Sequence, residues 1–231
     1  MRMFRRSLGV VAAIGLLAVA ACDAVSADDL GGAYVGGNFG RARNTYGPGF
    51  IDGQISTEAT SAGDTVSYTA KSVQRMSDGW WIDTGYLFTP YVGIEAAFLH
   101  LGEIRYIAVG TLGDSAGSRF LSTTTEVTSH GPALAAILRL PLTEAVELDL
   151  RLGDYLGKAT SETNVTVASA SSFTAQSKST SSLLAGIGGS YTIAGHWSMR
   201  LDYVRINDTG DKATVGKFSV NLATAGISYT F

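Results

Sequence analysis

The feature of this sequence that most limits its fold is a two-residue alternation of side-chain character, repeated along much of the chain. It is clearest at residues 146–153, where Val, Leu, Leu and Leu alternate with Glu, Asp, Arg and Gly. Because successive side chains of a β-strand point to opposite faces, this pattern predicts a strand with one apolar and one charged face. The sequence contains 4 prolines in 231 residues, and a low proline content is compatible with many strands.

Amphipathic segments of this kind recur along the chain, with tight turns and long polar connections alternating between them. We place eight segments, at about residues 32–43, 78–88, 91–103, 124–140, 146–153, 181–193, 197–206 and 217–231. Long connections follow the first, third, fifth and seventh segments, at about residues 44–76, 105–123, 161–177 and 207–216. A soluble sandwich has no reason to collect its long loops at one end, whereas a transmembrane barrel does. We therefore predict an all-β fold, an eight-stranded antiparallel up-and-down transmembrane β-barrel.

The N-terminus has the composition of an export signal. Arg2, Arg5 and Arg6 precede an apolar run at residues 8–21, and Val-Ser-Ala at residues 25–27 matches the small-x-small cleavage rule. The apolar run is shorter than the roughly 20 residues that a membrane-spanning helix needs. We expect residues 1–27 to be a cleaved signal peptide and residues 28–231 to form the outer-membrane barrel domain.

Cys22 is the only cysteine of the chain, so a disulfide within the chain is excluded. It follows Val-Ala-Ala, which resembles a bacterial lipobox, and a mature chain beginning at Cys22 would carry a lipid anchor. The alternative is an incidental cysteine inside the discarded signal. The Val-Ser-Ala site just downstream favours that alternative.

Charged side chains determine which face of the predicted strands is turned inward. Turning the fifth segment over would expose three charges to lipid, and each charge at the midplane of the bilayer costs about 2–4 kcal/mol. The predicted lumenal charge network consists of Asp83, Glu95, Arg139, Glu147, Asp149, Arg151, Arg200 and Asp202. These side chains must pair or be hydrated, because an unpaired buried charge is costly. Since side chains fill the interior of an eight-stranded barrel, the sequence predicts a plugged lumen and not a wide pore.

Aromatic residues cluster near the predicted strand ends. They are Trp80, Trp81, Tyr86, Tyr91, Trp197, Tyr229 and Phe231. Barrels carry aromatic girdles at both membrane interfaces, and we interpret this group as such a girdle. Aromatic residues also favour strands in general, so individual members can be ordinary strand residues.

Several short motifs give the sequence a family resemblance. Residues 33–37 (Ala-Tyr-Val-Gly-Gly), 85–86 (Gly-Tyr) and 91–95 (Tyr-Val-Gly-Ile-Glu) resemble the opening half of the OmpA-like eight-stranded outer-membrane barrels. Residues 200–203 (Arg-Leu-Asp-Tyr) and 229–231 (Tyr-Thr-Phe) resemble the last hairpin of that family. The resemblance implies export to the outer membrane of a Gram-negative cell.

The same resemblance implies roles for individual residues. Tyr229 and Phe231 would be the C-terminal signal for the barrel assembly machinery. Glu95, Arg139, Arg151 and Arg200 would block or gate the barrel interior. The sequence ends at the predicted barrel, so we expect no periplasmic peptidoglycan-binding domain and no tethering to the cell wall.

Little in the sequence indicates catalysis or a cofactor. The three histidines, His100, His130 and His196, are not at metal-ligand spacing along the chain, so we predict neither metal nor cofactor. The net charge of −3 gives no basic excess for nucleic-acid binding. His196 and Ser198 share one face of a strand and resemble the His-x-Ser arrangement of a lipid A deacylase. A lipid-modifying hydrolase is therefore one alternative, which would also need an orienting acid.

The favoured hypothesis is a non-enzymatic, monomeric outer-membrane protein with a structural or surface-interaction role. Its expected partners are outer-membrane lipids, the barrel assembly machinery and a host or envelope ligand at the external loops, because loops on rigid scaffolds carry function. A narrow or gated channel for small solutes is the second hypothesis.

Overall fold

The computed structural model describes residues 32–47, 49–115, 117–211 and 214–231. The predicted signal peptide and Cys22 lie outside the described residues. The elements are β1 (Ala33–Asn44), α1 (Gly49–Ser61), β2 (Thr65–Gln74), β3 (Met76–Leu87), β4 (Val92–Asp114), β5 (Gly117–Pro141), β6 (Val146–Val167), β7 (Ala170–Ala194), β8 (Trp197–Thr209) and β9 (Phe218–Thr230). Among the helices described, none combines the length and apolar character needed to cross a bilayer.

The strands other than β2 form a closed antiparallel ring. β1 pairs with both β3 and β9, so that Gly36 lies opposite Asp83 on one side and Ser228 on the other. The remaining neighbours follow the chain, and pairing between β4 and β5 closes the ring. This confirms the predicted eight-stranded antiparallel up-and-down barrel. The turns between β3 and β4, β5 and β6, and β7 and β8 are short and lie at the same end as the termini of the barrel.

Strand β6 shows why the alternation determines the two faces of the barrel. Leu150 and Leu152 are 38% and 61% exposed on the outer surface, whereas Asp149 and Arg151 are buried inside. The side-chain period of a strand is two, so a slip of one residue would exchange the leucines and the charges. Exposed large apolar residues continue around the outer surface, as a lipid-facing band requires.

Two of the predicted long loops are strands. β4 and β5 continue as a hairpin through residues 105–123, and β6 and β7 do the same through residues 161–177. Threonines and serines pair across these strands, as in the hydroxyl contact of 3.0 Å between Thr125 and Thr163. Such cross-strand pairs add to the stability of a sheet. The prediction of loops was wrong at these segments for two reasons. Residues 170–179 are exposed on both faces and show no apolar alternation, whereas β4 and β5 bury Tyr106, Ala108 and Leu121 on their inner side.

The predicted loop at residues 44–76 also differs from expectation. It contains α1 and β2, and β2 pairs with the distal part of β4. We call the resulting structure the external sheet, defined as residues 65–74, 103–114, 117–128, 159–167 and 170–182. It extends the barrel wall beyond the lipid-facing band at the end opposite the short turns.

The aromatic residues do not all face lipid. Tyr86, Tyr91, Trp197 and Phe231 are exposed at the short-turn end, as a girdle requires. Trp81 is 1% exposed and lies inside the barrel, so its assignment to the girdle was wrong. Its position follows from the two-residue period of a strand. Trp81 and Asp83 are two residues apart, so both lie on the inward face of β3.

Candidate functional site

Two arginines form the centre of the barrel interior. Arg151 Nη1 lies 2.7 Å from Asp202 Oδ1, and its Nε lies 3.1 Å from Glu95 Oε1. Arg200 Nη1 lies 2.6 Å from Asp83 Oδ2, and its Nε is 3.5 Å from Asp202 Oδ2. Asp202 therefore bridges the two guanidinium groups and links β3, β4, β6 and β8 across the lumen.

The remaining predicted charges extend this cluster toward the short-turn end. Asp149 lies between two guanidinium groups, 3.5 Å from Arg151 Nη2 and 2.9 Å from Arg139 Nε. Arg139 Nε is also 3.3 Å from Glu147 Oε2. All eight side chains named from the sequence are thus joined by ion pairs into one group, which we call the lumenal network.

Two neutral side chains outside the predicted set of charges complete the lumenal network. The Tyr34 hydroxyl donates to Glu95 Oε2 at 2.8 Å, and Asn38 Nδ2 donates to Asp83 Oδ1 at 3.0 Å. Neutral donors matter here because five carboxylates face three guanidinium groups. The sequence contained a signal for both positions on β1. Tyr34 and Asn38 alternate with the apolar residues that face lipid, so their side chains point into the barrel.

Glycines provide space for the charged side chains. A Cβ atom at Gly36 would lie 2.8 Å from Arg200 Nη1 and 2.9 Å from Asp83 Oδ2. A Cβ atom at Gly188 would lie 2.1 Å from Asp202 Oδ1. A larger residue at either position would therefore displace a buried ion pair, which explains part of the high glycine content of the inner face.

An apolar layer covers the lumenal network on the side of the external sheet. It consists of buried side chains from six strands: Trp81, Leu99, Tyr155, Leu184, Val204 and Leu222. The guanidinium carbon of Arg151 lies 5.4 Å from the centre of the Trp81 ring, so the two layers are in contact. The barrel interior is therefore filled by a charged layer and, directly above it, an apolar one.

Helix α1 packs above the apolar layer, against the inner side of the external sheet. Its buried residues Ile51, Ile55 and Ala59 follow a four-residue spacing, which places them on one face. Asp52 accepts a hydrogen bond from the Tyr106 hydroxyl and forms an ion pair of 2.6 Å with Lys71. Burial and this carboxylate raise the pKa of the Tyr106 hydroxyl. These contacts attach α1 to β4 and β2.

The packing of α1 predicts a local effect of truncating Ile51, which is 3% exposed. Ile51→Ala should lower the free energy of local unfolding of α1 by about 2–5 kcal/mol, because it leaves a cavity in the apolar cluster. Hydrogen–deuterium exchange of residues 49–61 measures this change. The exposed Thr57→Ala is the matched control on the same helix and should have little effect. Equal exchange in both variants would contradict the packing described for α1.

The short-turn end of the interior contains a cavity of about 280 Å³. His196 and Ser198 both line it. The His196 ring packs 5.5 Å from the centre of the Tyr229 ring, and the Ser198 hydroxyl contacts Thr192 Oγ1 at 3.3 Å. None of the hydrogen bonds among the described residues joins His196 to Ser198. The described geometry is therefore not that of an activated serine.

The two C-terminal aromatics lie in a cluster at the same end. The ring centre of Tyr229 lies 5.0 Å from that of Trp197 and 5.2 Å from that of Phe231. The Phe231 amide donates to the Ala33 carbonyl at 2.9 Å, which joins the last residue to the first strand. In the part of the chain that the structure describes, no group of three or more His, Cys, Asp or Glu side chains is arranged to hold a metal ion.

Comparisons with known proteins agree with this architecture. The profile of the family described as the OmpA-like transmembrane domain matches residues 32–231. Outer membrane protein A of Shigella flexneri is 31% identical over 148 residues, which cover 64% of this chain and 38% of that protein. Outer membrane protein A of Serratia marcescens is 30% identical over 152 residues, which cover 64% of this chain and 37% of that protein.

The match to these relatives is partial, since it spans less than two fifths of their length. Among solved structures, Ail, the attachment invasion locus protein of Yersinia pestis, superposes with a TM-score of 0.48 at 15% sequence identity. That superposition covers 87% of this chain and 99% of the Ail chain.

Proposed function

Because the chain belongs to the family of OmpA-like transmembrane domains, we propose that it is a non-enzymatic barrel that conducts no solute and displays the external sheet at the cell surface. The protein is an outer-membrane protein of a Gram-negative cell. Its proposed partners are outer-membrane lipids, the barrel assembly machinery acting on Tyr229 and Phe231, and a ligand at the external sheet. We also propose that it acts as a monomer, and that residues 1–27 are removed on export.

The single observation that carries the proposal of a closed lumen is the bridging of Arg151 and Arg200 by Asp202. Side chains held by several partners across the lumen would interrupt a water path along the barrel axis. The apolar layer around Trp81 and Leu99 adds a second barrier, because a dry apolar constriction excludes ions. A gated channel would require both layers to move together.

Electrical recording tests the closed lumen directly. Purified barrel inserted into planar bilayers should produce no steps in current, with a general porin in the same preparation as the positive control. Arg151→Ala should also remain silent, because the apolar layer around Trp81 and Leu99 still closes the lumen in this variant. Reproducible conductance steps of the wild-type protein would remove the proposal and support a narrow channel.

The surface role is supported by the order of the external sheet, in which hairpins replace flexible loops. Arg119 Nη2 lies 3.0 Å from Asp64 and 3.1 Å from Asp114, and Arg105 lies 2.7 Å from Glu126. Ordered elements that project from a rigid scaffold present side chains in a fixed arrangement, which favours recognition.

A trimmed variant tests this role. It replaces residues 105–126 and 160–178 with short turns and leaves the lipid-facing band intact. In a deletion strain, the wild-type gene should restore adhesion to host-cell monolayers or resistance to detergent, and the trimmed variant should not. Lipid A should be unchanged on overexpression, as expected without hydrolase activity. Restoration of both properties by the trimmed variant would contradict a role for the external sheet.

A further inference from the structure

The external sheet is open and therefore has two edges. β7 pairs with β8 from Leu184 onward, whereas Ala170–Leu183 pairs with β6 alone. In the described residues, the backbone of residues 170–179 makes its sheet hydrogen bonds only with β6. Every second residue of an antiparallel strand directs its N–H and C=O away from its partner. These residues consequently present a row of unpaired main-chain donors and acceptors.

This edge has only one of the usual features that protect a strand from pairing. Such features are prolines, bulges and charged side chains. Residues 170–179 contain no proline, and their pairing with β6 continues without a register shift. Lys178 is their only charged residue, and its amine lies 3.5 Å from Asp211. Phe173 is 64% exposed, which adds an apolar anchor to the edge.

The opposite edge, formed by β2, is protected. The register of β2 shifts between Tyr68 and Ala70, which marks a bulge or irregularity. Lys71 follows directly and forms its ion pair with Asp52 on α1. The two edges of one sheet thus differ in the property that controls strand addition. That difference gives a matched pair of sites for experiment.

We propose that residues 170–179 of β7 bind an extended polypeptide segment of a partner protein by antiparallel strand addition. Only an extended polypeptide matches the spacing of the exposed main-chain groups, and main-chain hydrogen bonds provide the affinity in this mode. The uncharged serine and threonine side chains accept small or β-branched residues, and Phe173 pairs with an apolar one. The inference rests on the proposed surface role and names its ligand class.

A second copy of this chain fits the edge less well than a partner segment does. Two barrels in one membrane insert in the same direction, so their β7 strands run in the same sense. Their edges would have to pair in parallel, which is the less stable arrangement per residue. A flexible partner segment has no such restriction and can run antiparallel to β7.

The experiment uses the full barrel in lipid nanodiscs and a fluorescent peptide with the sequence of residues 159–167, in which glutamine replaces the glutamate. This segment already pairs with β7 on its other side. Fluorescence anisotropy should show saturable binding. Phe173→Lys combined with Ala175→Lys should weaken binding at least tenfold. Ser67→Lys combined with Thr69→Lys, on the β2 edge, should leave it unchanged.

Hydrogen–deuterium exchange identifies the occupied edge. The peptide should protect amides of residues 170–179 and leave those of residues 65–74 unaffected. Absence of saturable binding, or equal loss in both lysine variants, would overturn strand addition at β7. If amides of residues 170–179 become protected as the barrel concentration increases in the absence of peptide, the edge binds a second copy of the chain and not a partner segment. If the trimmed variant loses adhesion while the peptide fails to bind, the surface role stands and strand addition does not.

Discussion

Replacing Arg200 with methionine should lower the free energy of unfolding by about 3–5 kcal/mol, because breaking a buried ion pair leaves the partner charge without compensation. Arg200 is 2% exposed and lies 2.6 Å from Asp83, which is itself buried. The same substitution removes one of the two arginines that neighbour Asp202 and Glu95. Urea-induced unfolding of the barrel in lipid vesicles measures the loss.

Two comparisons make the Arg200 result specific. Arg205→Met alters an exposed arginine on the same strand and should change stability by no more than about 0.5 kcal/mol. Adding Asp83→Asn to Arg200→Met should recover part of the loss, since the orphaned charge is then removed. If Arg200→Met and Arg205→Met are equally stable, the lumenal network contributes nothing measurable to the free energy of unfolding and does not link the strands across the barrel.

The second large effect concerns the outer face of β6. Leu152→Arg places a charge in the middle of the lipid-facing band, where a cationic side chain costs about 2–4 kcal/mol. Leu152 is 61% exposed, so lost packing within the protein contributes little to this cost. Reversible unfolding in vesicles of a single lipid gives the free energy for both this variant and the wild type.

Asn164→Arg provides the control for Leu152→Arg. Asn164 lies on the same face of the same strand, but within the external sheet. Its substitution should change stability by no more than about 0.5 kcal/mol, as expected of a surface position. Equal costs at the two positions would mean that the lipid-facing band has been misplaced along β6.

The sequence was sufficient to predict the barrel wherever one face meets lipid and the other meets the lumen. At residues 146–153 the two environments differ so strongly that only one register is tolerable. The distal part of β7 carries no such contrast. Its residues 170–179 are serine, threonine and alanine with few exceptions, and both faces contact solvent. Alternation cannot mark a strand whose two faces have the same surroundings.

Helix α1 was missed for a different reason. Its composition is rich in serine, threonine and glycine, which are weak helix formers. Ile51, Ile55 and Ala59 nevertheless recur at four-residue spacing, and this was the available signal. Packing against the inner side of the external sheet stabilises the helix, as tertiary contacts often do.

The inward direction of the charged residues followed from the sequence, but their partners did not. Arg151 and Asp202 are 51 residues apart, and they meet because the closed ring brings β6 and β8 to the same height. The closure of the barrel and the stagger of its strands determine which side chains meet in the lumen. Neither property can be predicted from the sequence of a single strand. The roles of Tyr34 and Asn38 depend on the same long-range register.

The most direct test of the account is the location of the external sheet in living cells. After Cys22→Ser, single cysteines are introduced by Ser177→Cys in the external sheet and by Glu144→Cys in the turn between β5 and β6. A membrane-impermeant maleimide should label Ser177→Cys in intact cells, and Glu144→Cys only after the outer membrane is permeabilised. The reverse labelling pattern, or equal labelling of both variants in intact cells, would contradict a barrel that displays the external sheet outside the cell.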